Sequence, residues 1–393
     1  MSAKKVAVLD IGSDAVTLVM QDRKYANNFA FKASADYDGF QDGEFLDMEG
    51  LFRVVDSLVR ECEASAFCEL DEIMVGVPGE FTSIVCKTVE QELGAERRIT
   101  DRDLDALYAI GNSYNGEAGY TCISASPVYY VLDDNDYTIT PAGRTASKIG
   151  CLMSYAVCEN SFISLFNRIS ESVKVPFVYA SAMLAEVMYV VPEKYSDEGV
   201  ILADVGYIST SVAYAMGDGI LHATAFSLGR GNIAGDITTV DGVPFDVSLE
   251  LVDKLNLNLQ PSMGDAYCVS RDGETLSYDV SRINAIAYDR VQNIAEYIHE
   301  AIKMSEYEVP REAKILLTGS GMANIPGARE CLAKVTGRAV EILAPDLMQF
   351  NKPRHASLAG LLVVQQHQIV KGKLKLFDLL YKLKDKFFGR NKK

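Results

Sequence analysis

The chain has no run of about 18 apolar residues, so no segment is long enough to cross a bilayer as a helix. It has no Cys-x-x-Cys pair. Its eight cysteines (Cys62, Cys68, Cys86, Cys122, Cys151, Cys158, Cys268 and Cys331) are scattered, which fits small core residues in a reducing cytoplasm better than a disulfide framework. Its four histidines are widely separated and make no metal-ligand cluster. Residues 1–5 lead straight into an apolar strand, so no signal peptide is expected. Positive charge is short: 38 Lys and Arg face 54 Asp and Glu, and the net charge of −16 argues against a nucleic-acid binder. What is present is an ordinary globular balance, 48% hydrophobic and 23% charged, over 393 residues, enough for two or more domains with their own cores.

Residues 6–20, VAVLDIGSDAVTLVM, read as an apolar strand, a tight polar turn and a second strand. Gly12 in the turn lets backbone N–H groups approach a phosphate, and Asp10 at the strand end suits a hydrated Mg²⁺ held through water. Taken alone, this is equally the pattern of an ordinary β-hairpin. Residues 199–215, GVILADVGYISTSVAYA, repeat the plan, with Asp204 matching Asp10 and Gly206 matching Gly12. A third Gly-rich turn, Thr318-Gly319-Ser320-Gly321, follows the strand-like residues 314–317. Two hairpins half a chain apart, and a third turn after them, predict a duplicated domain with a nucleotide between its halves.

Between the hairpins, helical spacing marks residues 48–65, and residues 72–77 form a strand ended by Pro78-Gly79. Residues 27–33 are expected as a strand and 36–49 as a loop. Residues 81–167 change character and predict a small α+β unit set inside the first half. It has strands at 82–89, 120–132 and 148–157, and a helix at 101–110 with Thr100 and Asp103 close to a capping box. A strand and a helix at 175–191 follow. In the second half, Gly229-Arg230-Gly231-Asn232 opens a helix, and a Gly-rich helix start is a ready anion site. Helices at 247–257, 282–305 and 357–368 and a surface hairpin over 265–279 complete the body.

The order of these parts resembles that of the actin-like ATPases, and within them the chain resembles FtsA, the bacterial division family that tethers FtsZ filaments to membrane. VAVLDIGSDAV resembles its first phosphate loop, SLGRGNIAGDI its G-G-x-x-x-T-x-D-I-A stretch, and KILLTGSGMANIPGARE its adenosine loop; residues 81–167 sit where it carries its extra subdomain. The resemblance covers nearly all of residues 1–369. It implies an α/β, actin-like ATPase fold, with two duplicated halves around a nucleotide cleft, an inserted α+β subdomain and a C-terminal amphipathic helix. The implied boundaries are 1–80, 81–167, 168–369 with a small subdomain near 218–317, and 370–393.

The implied ligands are ATP and Mg²⁺, the metal held through water. Asp10 and Asp204 would position Mg²⁺; Gly12, Ser13, Gly206, Gly229 and Gly231 would cradle phosphates; Gly319, Ser320, Gly321, Glu250 and Lys254 would face the adenosine. The implied partners are the C-terminal peptide of FtsZ, further copies of the chain in a filament, and an anionic membrane surface at the division site, on its cytoplasmic face. The sequence departs from the family pattern at Tyr207 and Ile208, which replace glycines, at Arg230, Ala234 and Ser320, and in the spacing of Glu250 and Lys254. Arg230 offers charge to a phosphate in place of the missing glycine. The water-orienting Gln or Glu of efficient relatives belongs near 181–186, where no residue is assigned and Ser181 suits the task poorly. Binding with weak or absent hydrolysis is therefore expected. The alternatives are a pilus-assembly or plasmid-partition actin relative, or a sugar-kinase relative.

Residues 371–393 carry nine Lys or Arg and two Asp, a net +7 on an otherwise acidic protein. At helical spacing, Leu376, Phe377, Leu380, Leu383, Phe387 and Phe388 fall opposite a stripe that includes Lys382 and Lys386. A basic amphipathic helix of this kind predicts a peripheral membrane anchor, as at the end of FtsA.

Overall fold

The structure, a computed structural model, describes residues 5–21, 29–271 and 273–371; the tail residues assigned above to a membrane face lie outside them. β1 (Val6–Ile11) turns antiparallel into β2 (Ala15–Gln21), and β2 pairs with β3 (Phe29–Asp36). The stretch 36–49, expected as loop, holds a small hairpin, β4 (Phe40–Gln41) and β5 (Glu44–Phe45). Its two turn residues, Asp42 and Gly43, have φ of 51° and 73°, the left-handed pair such a turn demands. α1 (Met48–Ala66) starts where the Asp47 carboxylate accepts the Gly50 N–H at 2.8 Å, and it leads to β6 (Glu72–Val77), parallel to β1.

β7 (Thr82–Arg98), α2 (Asp101–Gly111), β8 (Tyr120–Leu132), β9 (Asp136–Thr138) and β10 (Thr145–Glu159) make a four-stranded antiparallel sheet with one helix on it. Its core includes Leu104, Leu107, Tyr130 and Tyr155. β7 and β10 run longer than the expected 82–89 and 148–157, because the ladder between them continues through charged positions such as Lys148–Glu92 and Gly150–Glu90. α3 (Asn160–Val173) and β11 (Phe177–Ser181) return to the first sheet, ordered β11-β6-β1-β2-β3.

After α4 (Ala182–Tyr189) the plan repeats. β12 (Val200–Val205), β13 (Thr210–Met216) and β14 (Gly219–Phe226) form an antiparallel meander. α5 (Arg230–Asp241), α6 (Phe245–Lys254), the hairpin β15 (Ala266–Arg271) and β16 (Glu274–Asp279), and α7 (Val280–Lys303) precede β17 (Ile315–Thr318), α8 (Ala328–Thr336), β18 (Val340–Ile342) and α9 (Ala356–Lys371). The second sheet is ordered β14-β13-β12-β17-β18. In both sheets the central strand opens an antiparallel meander of three strands on one side and has two strands parallel to it on the other, so the sequence repeat is a repeat of topology. Since β14 and β17 belong to this sheet, only α5, α6, α7 and the β15–β16 hairpin stand apart within the 218–317 span.

Strand alternation sets the layers. On β1, Ala7 and Leu9 face α1 and α3, while Val8 faces α9. On β12, Ile201, Ala203 and Val205 face α5 and α7, while Leu202 faces α4. α4 and α9 thus lie between the two sheets, close enough that a Cβ on Gly360 would stand 2.7 Å from the carbonyl of Ala185. Among the described residues all eight cysteines are free thiols, and no helix is long and apolar enough to cross a membrane.

Candidate functional site

The β1–β2 and β12–β13 turns face one another, and the Ile208 N–H donates to Ser13 Oγ at 3.1 Å, across 195 positions of sequence. Each turn is closed by its glycine: Gly12 N–H donates to Ala15 O at 2.9 Å and Gly206 N–H to Ser209 O at 2.7 Å. A side chain at either would collide, since a Cβ would lie 2.9 Å from Ala15 O and 3.0 Å from Ser209 O. Between the turns is a cavity of about 130 Å³ that brings together Asp10, Gly12, Ser13, Asp204, Gly206, Gly319 and Ser320 of the expected residues. Gly319 has φ of 88°, and a Cβ on it would sit 2.1 Å from Asp204 Oδ1. Ser13→Ala should leave the Ile208 N–H unpartnered and cost about 1 kcal/mol, read as a small fall in the melting midpoint.

The buried charge of this cavity is acidic, while its lining also includes the exposed cation Arg354. Asp10 accepts from the Ser357 hydroxyl at 2.6 Å, yet burial pushes its carboxyl up to about 6. Burial, with the charges of Asp10 and Glu80, likewise pushes Asp204 up to about 6. Glu186, on α4 and 2% exposed, is raised well above the usual carboxylate range by burial first and then by Asp204 and Asp10. Protonated, it donates to Asp204. Burial also raises Glu80, at the cavity mouth. Oε2 of Glu186 and Oε1 of Glu80 are buried without a hydrogen-bond partner, and among the described residues Asp10, Asp204 and Glu186 form no ion pair. Buried carboxylates in this state attract a cation. Among the described residues no three acids, histidines or cysteines are arranged to ligate a metal directly, so the donor set suits a hydrated ion, with water between carboxylate and metal.

The donor side corrects several expectations. The N–H groups of Gly12 and Gly206 are spent on their own turns and do not point at a ligand. The start of α5 is also closed: Arg230 N–H donates to Gly206 O at 3.1 Å, Gly231 N–H to Tyr207 O at 2.6 Å, and Gly229 N–H to Asn232 Oδ1 at 2.8 Å. Gly229 and Gly231 therefore cap the second turn and offer no anion site. Arg230 is turned away, bonded to Asp253 at 2.7 Å and to Leu249 O at 3.2 Å. Gly321 N–H donates to Val205 O at 2.6 Å, so it braces the third turn against the second. Glu250 and Lys254 are exposed on α6, outside the cavity lining. Among the described residues, the N–H groups of Ser13 and Tyr207 remain without a hydrogen-bond partner at the cavity.

Glu186, Glu80, Arg354 and Ser357 are among the cavity residues not assigned from the sequence. Ser181, in the stretch expected to hold a water-orienting side chain, instead caps α4, accepting the Leu184 N–H at 3.3 Å. Glu186, in the same stretch, reaches the cavity; its one signal is a lone acid in the apolar run AMLAEVMY. Glu80 lies in the turn after β6 and carries no signal beyond its type.

No protein-family model matches the chain. The cell division protein FtsA of Buchnera aphidicola (subsp. Baizongia pistaciae) is 19% identical over 330 residues, covering 80% of this chain and 77% of that protein. FtsA of Escherichia coli K12 is 21% identical over 347 residues, covering 82% and 81%. Among solved structures, the PilM–PilN type IV pilus biogenesis complex matches with a TM-score of 0.57 at 12% identity, covering 91% of this chain and 97% of that one. MreB 5 of Spiroplasma citri bound to AMPPNP matches with a TM-score of 0.55 at 8% identity, covering 93% and 97%. The repeated sheet, the facing turns and these likenesses agree: in sequence the chain is distantly similar to FtsA, and its fold is actin-like.

Proposed function

We propose that this chain is an actin-like, ATP-binding protein of bacterial cell division that polymerises on the membrane and tethers FtsZ filaments to it. The observation that carries the reading is the pair of matched aspartates, Asp10 and Asp204, half-buried and without an ion-pair partner among the described residues between two matched turns. That arrangement suits a hydrated Mg²⁺ arriving with a polyphosphate. Ser13 and Tyr207 N–H groups would meet phosphate oxygens, Asp10 and Asp204 would hold the metal's waters, and the 319–321 turn would pass the nucleoside. Hydrolysis is expected to be weak or absent, since neither Ser181 nor a protonated Glu186 is suited to activate water. Residues 371–393, at +7, would hold the chain to anionic lipid on the cytoplasmic face at the division site. The rest of the chain, at −23, would stand off that surface. The unit built of α5, α6, α7 and the β15–β16 hairpin is the proposed seat of the FtsZ C-terminal peptide, and residues 81–167 the inserted subdomain.

The test is co-sedimentation with anionic liposomes, using the full chain and a chain lacking residues 373–393, each with and without Mg-ATP and an FtsZ C-terminal peptide. Pelleting of the full chain alone, increased by Mg-ATP and carrying the peptide down, is the expected result. Pelleting that ignores ATP would leave a tether without a nucleotide switch. No pelleting would favour a soluble actin relative of the pilus-assembly or plasmid-partition kind.

A further inference from the structure

The cavity between the turns holds about 130 Å³, whereas pockets for nucleotide-sized ligands run to roughly 300–1,000 Å³. Tyr207 lines this cavity together with Asp10, Asp204 and Glu186. Tyr207 follows Gly206 as Ser13 follows Gly12, so the two turns carry a large ring and a small hydroxyl at matched positions. The ring lies over the start of α5, where a Cβ on Gly231 would stand 3.1 Å from Tyr207 Cζ and 3.2 Å from Cε2.

The main chain around this ring is pinned. Gly206 N–H is bound to Ser209 O, Gly206 O to Arg230 N–H, Tyr207 O to Gly231 N–H, and Ile208 N–H to Ser13 Oγ, at 2.7, 3.1, 2.6 and 3.1 Å. The path of the turn is therefore fixed, and rotation of the side chain is the freedom left to it. Nothing ties the ring's tip, since among the described residues the Tyr207 hydroxyl makes no hydrogen bond. Rotation would break no cap of α5, and side-chain rotation of a partly exposed residue is fast.

Resting on the nucleotide reading above, we propose that Tyr207 is a gate at the phosphate end of the cleft: its ring must swing away before a nucleoside polyphosphate seats, and it sets the affinity for that ligand. The closed form lowers the apparent affinity by the fraction of time the gate is open. A ring that merely completes the core would have no such effect.

The experiment measures Mg-ATP binding to the intact chain by calorimetry, with the unliganded melting midpoint recorded for each variant. Tyr207→Gly and Tyr207→Ala remove the ring; the alanine form keeps the backbone as stiff as in the wild type. Tyr207→Phe keeps the ring and loses only the hydroxyl. The expected result is binding at least tenfold tighter for the glycine and alanine variants, with the phenylalanine variant unchanged. Equal affinity in all four proteins overturns the gate and leaves the nucleotide reading standing. Weaker binding without the ring also overturns it, making Tyr207 a contact for the ligand. Absence of binding by every variant at millimolar Mg-ATP, with normal melting, overturns the nucleotide reading and the gate together.

Discussion

Asp204→Asn is expected to make the ligand-free protein more stable at pH 8 while removing its response to Mg-ATP. The carboxyl of Asp204 rises from 3.8 to about 6 because burial and the charge of Asp10 oppose its ionised form. Between those two values the folded chain keeps a proton that the unfolded chain has released. Folding stability therefore falls as pH rises through the window, and the deficit is complete above about 6. A rise of about two units corresponds to about 2–3 kcal/mol. Asparagine cannot ionise, so the gain over wild type should be close to that figure at pH 8 and vanish by about pH 4. Urea midpoints for both proteins at the two pH values test this. An asparagine variant less stable at both would show that Asp204 has a partner that compensates for its burial. The site would thus hold electrostatic strain for the proposed hydrated Mg²⁺ to relieve, a common trade between stability and function.

Gly217→Ala is the second large effect. Gly217 has φ of 59°, and a Cβ on it would lie 1.9 Å from the Val128 carbonyl oxygen. The contact belongs to a seam between the four-stranded unit and the second sheet. There the Ser154 hydroxyl donates to Ile220 O at 2.6 Å and accepts the Ile220 N–H at 3.2 Å, and Asp218 N–H donates to Pro127 O at 3.2 Å. Forced left-handed geometry costs roughly 1–2 kcal/mol and overpacking a further 1–3, so a loss of about 2–5 kcal/mol is expected. Gly143→Ala is the control: it too has positive φ, at 81°, but nothing lies within 4 Å of its Cβ position. The control carries only the backbone part. Hydrogen exchange over 124–128 and 217–221 should accelerate in the Gly217 variant alone. Equal losses in the two variants would mean the seam contributes nothing.

Much of this architecture was legible because hydrophobic period and turn chemistry act locally. The Asp-x-Gly turns, the helix from Met48 to Ala66, and the strands Glu72–Val77 and Tyr120–Leu132 follow from patterns within a few residues of each other. The outer half of β7 was not legible, since charges alternate there on an exposed edge strand and look like loop. The hairpin at 40–45 had its Asp-Gly signal, but two-residue strands are too short to show a period. The helix start at Gly229 was misread for another reason. Its free N–H groups are real in sequence terms, but the carbonyls that consume them come from Gly206 and Tyr207, brought there by the tertiary fold. Glu186 was hidden likewise: it gains meaning only when α4 is laid beside β1 and β12.

The hydrogen bond from Ser357 to Asp10 has a mechanical side. Ser357 is in the first turn of α9, and that helix continues without a break to Lys371, where the basic segment begins. Sixteen residues make a rod of about 24 Å, one end gripping an acid of the cleft and the other handed to whatever holds the tail. Load applied along that rod would reach Asp10 through Ser357 and, where Gly360 packs on Ala185, the helix that carries Glu186.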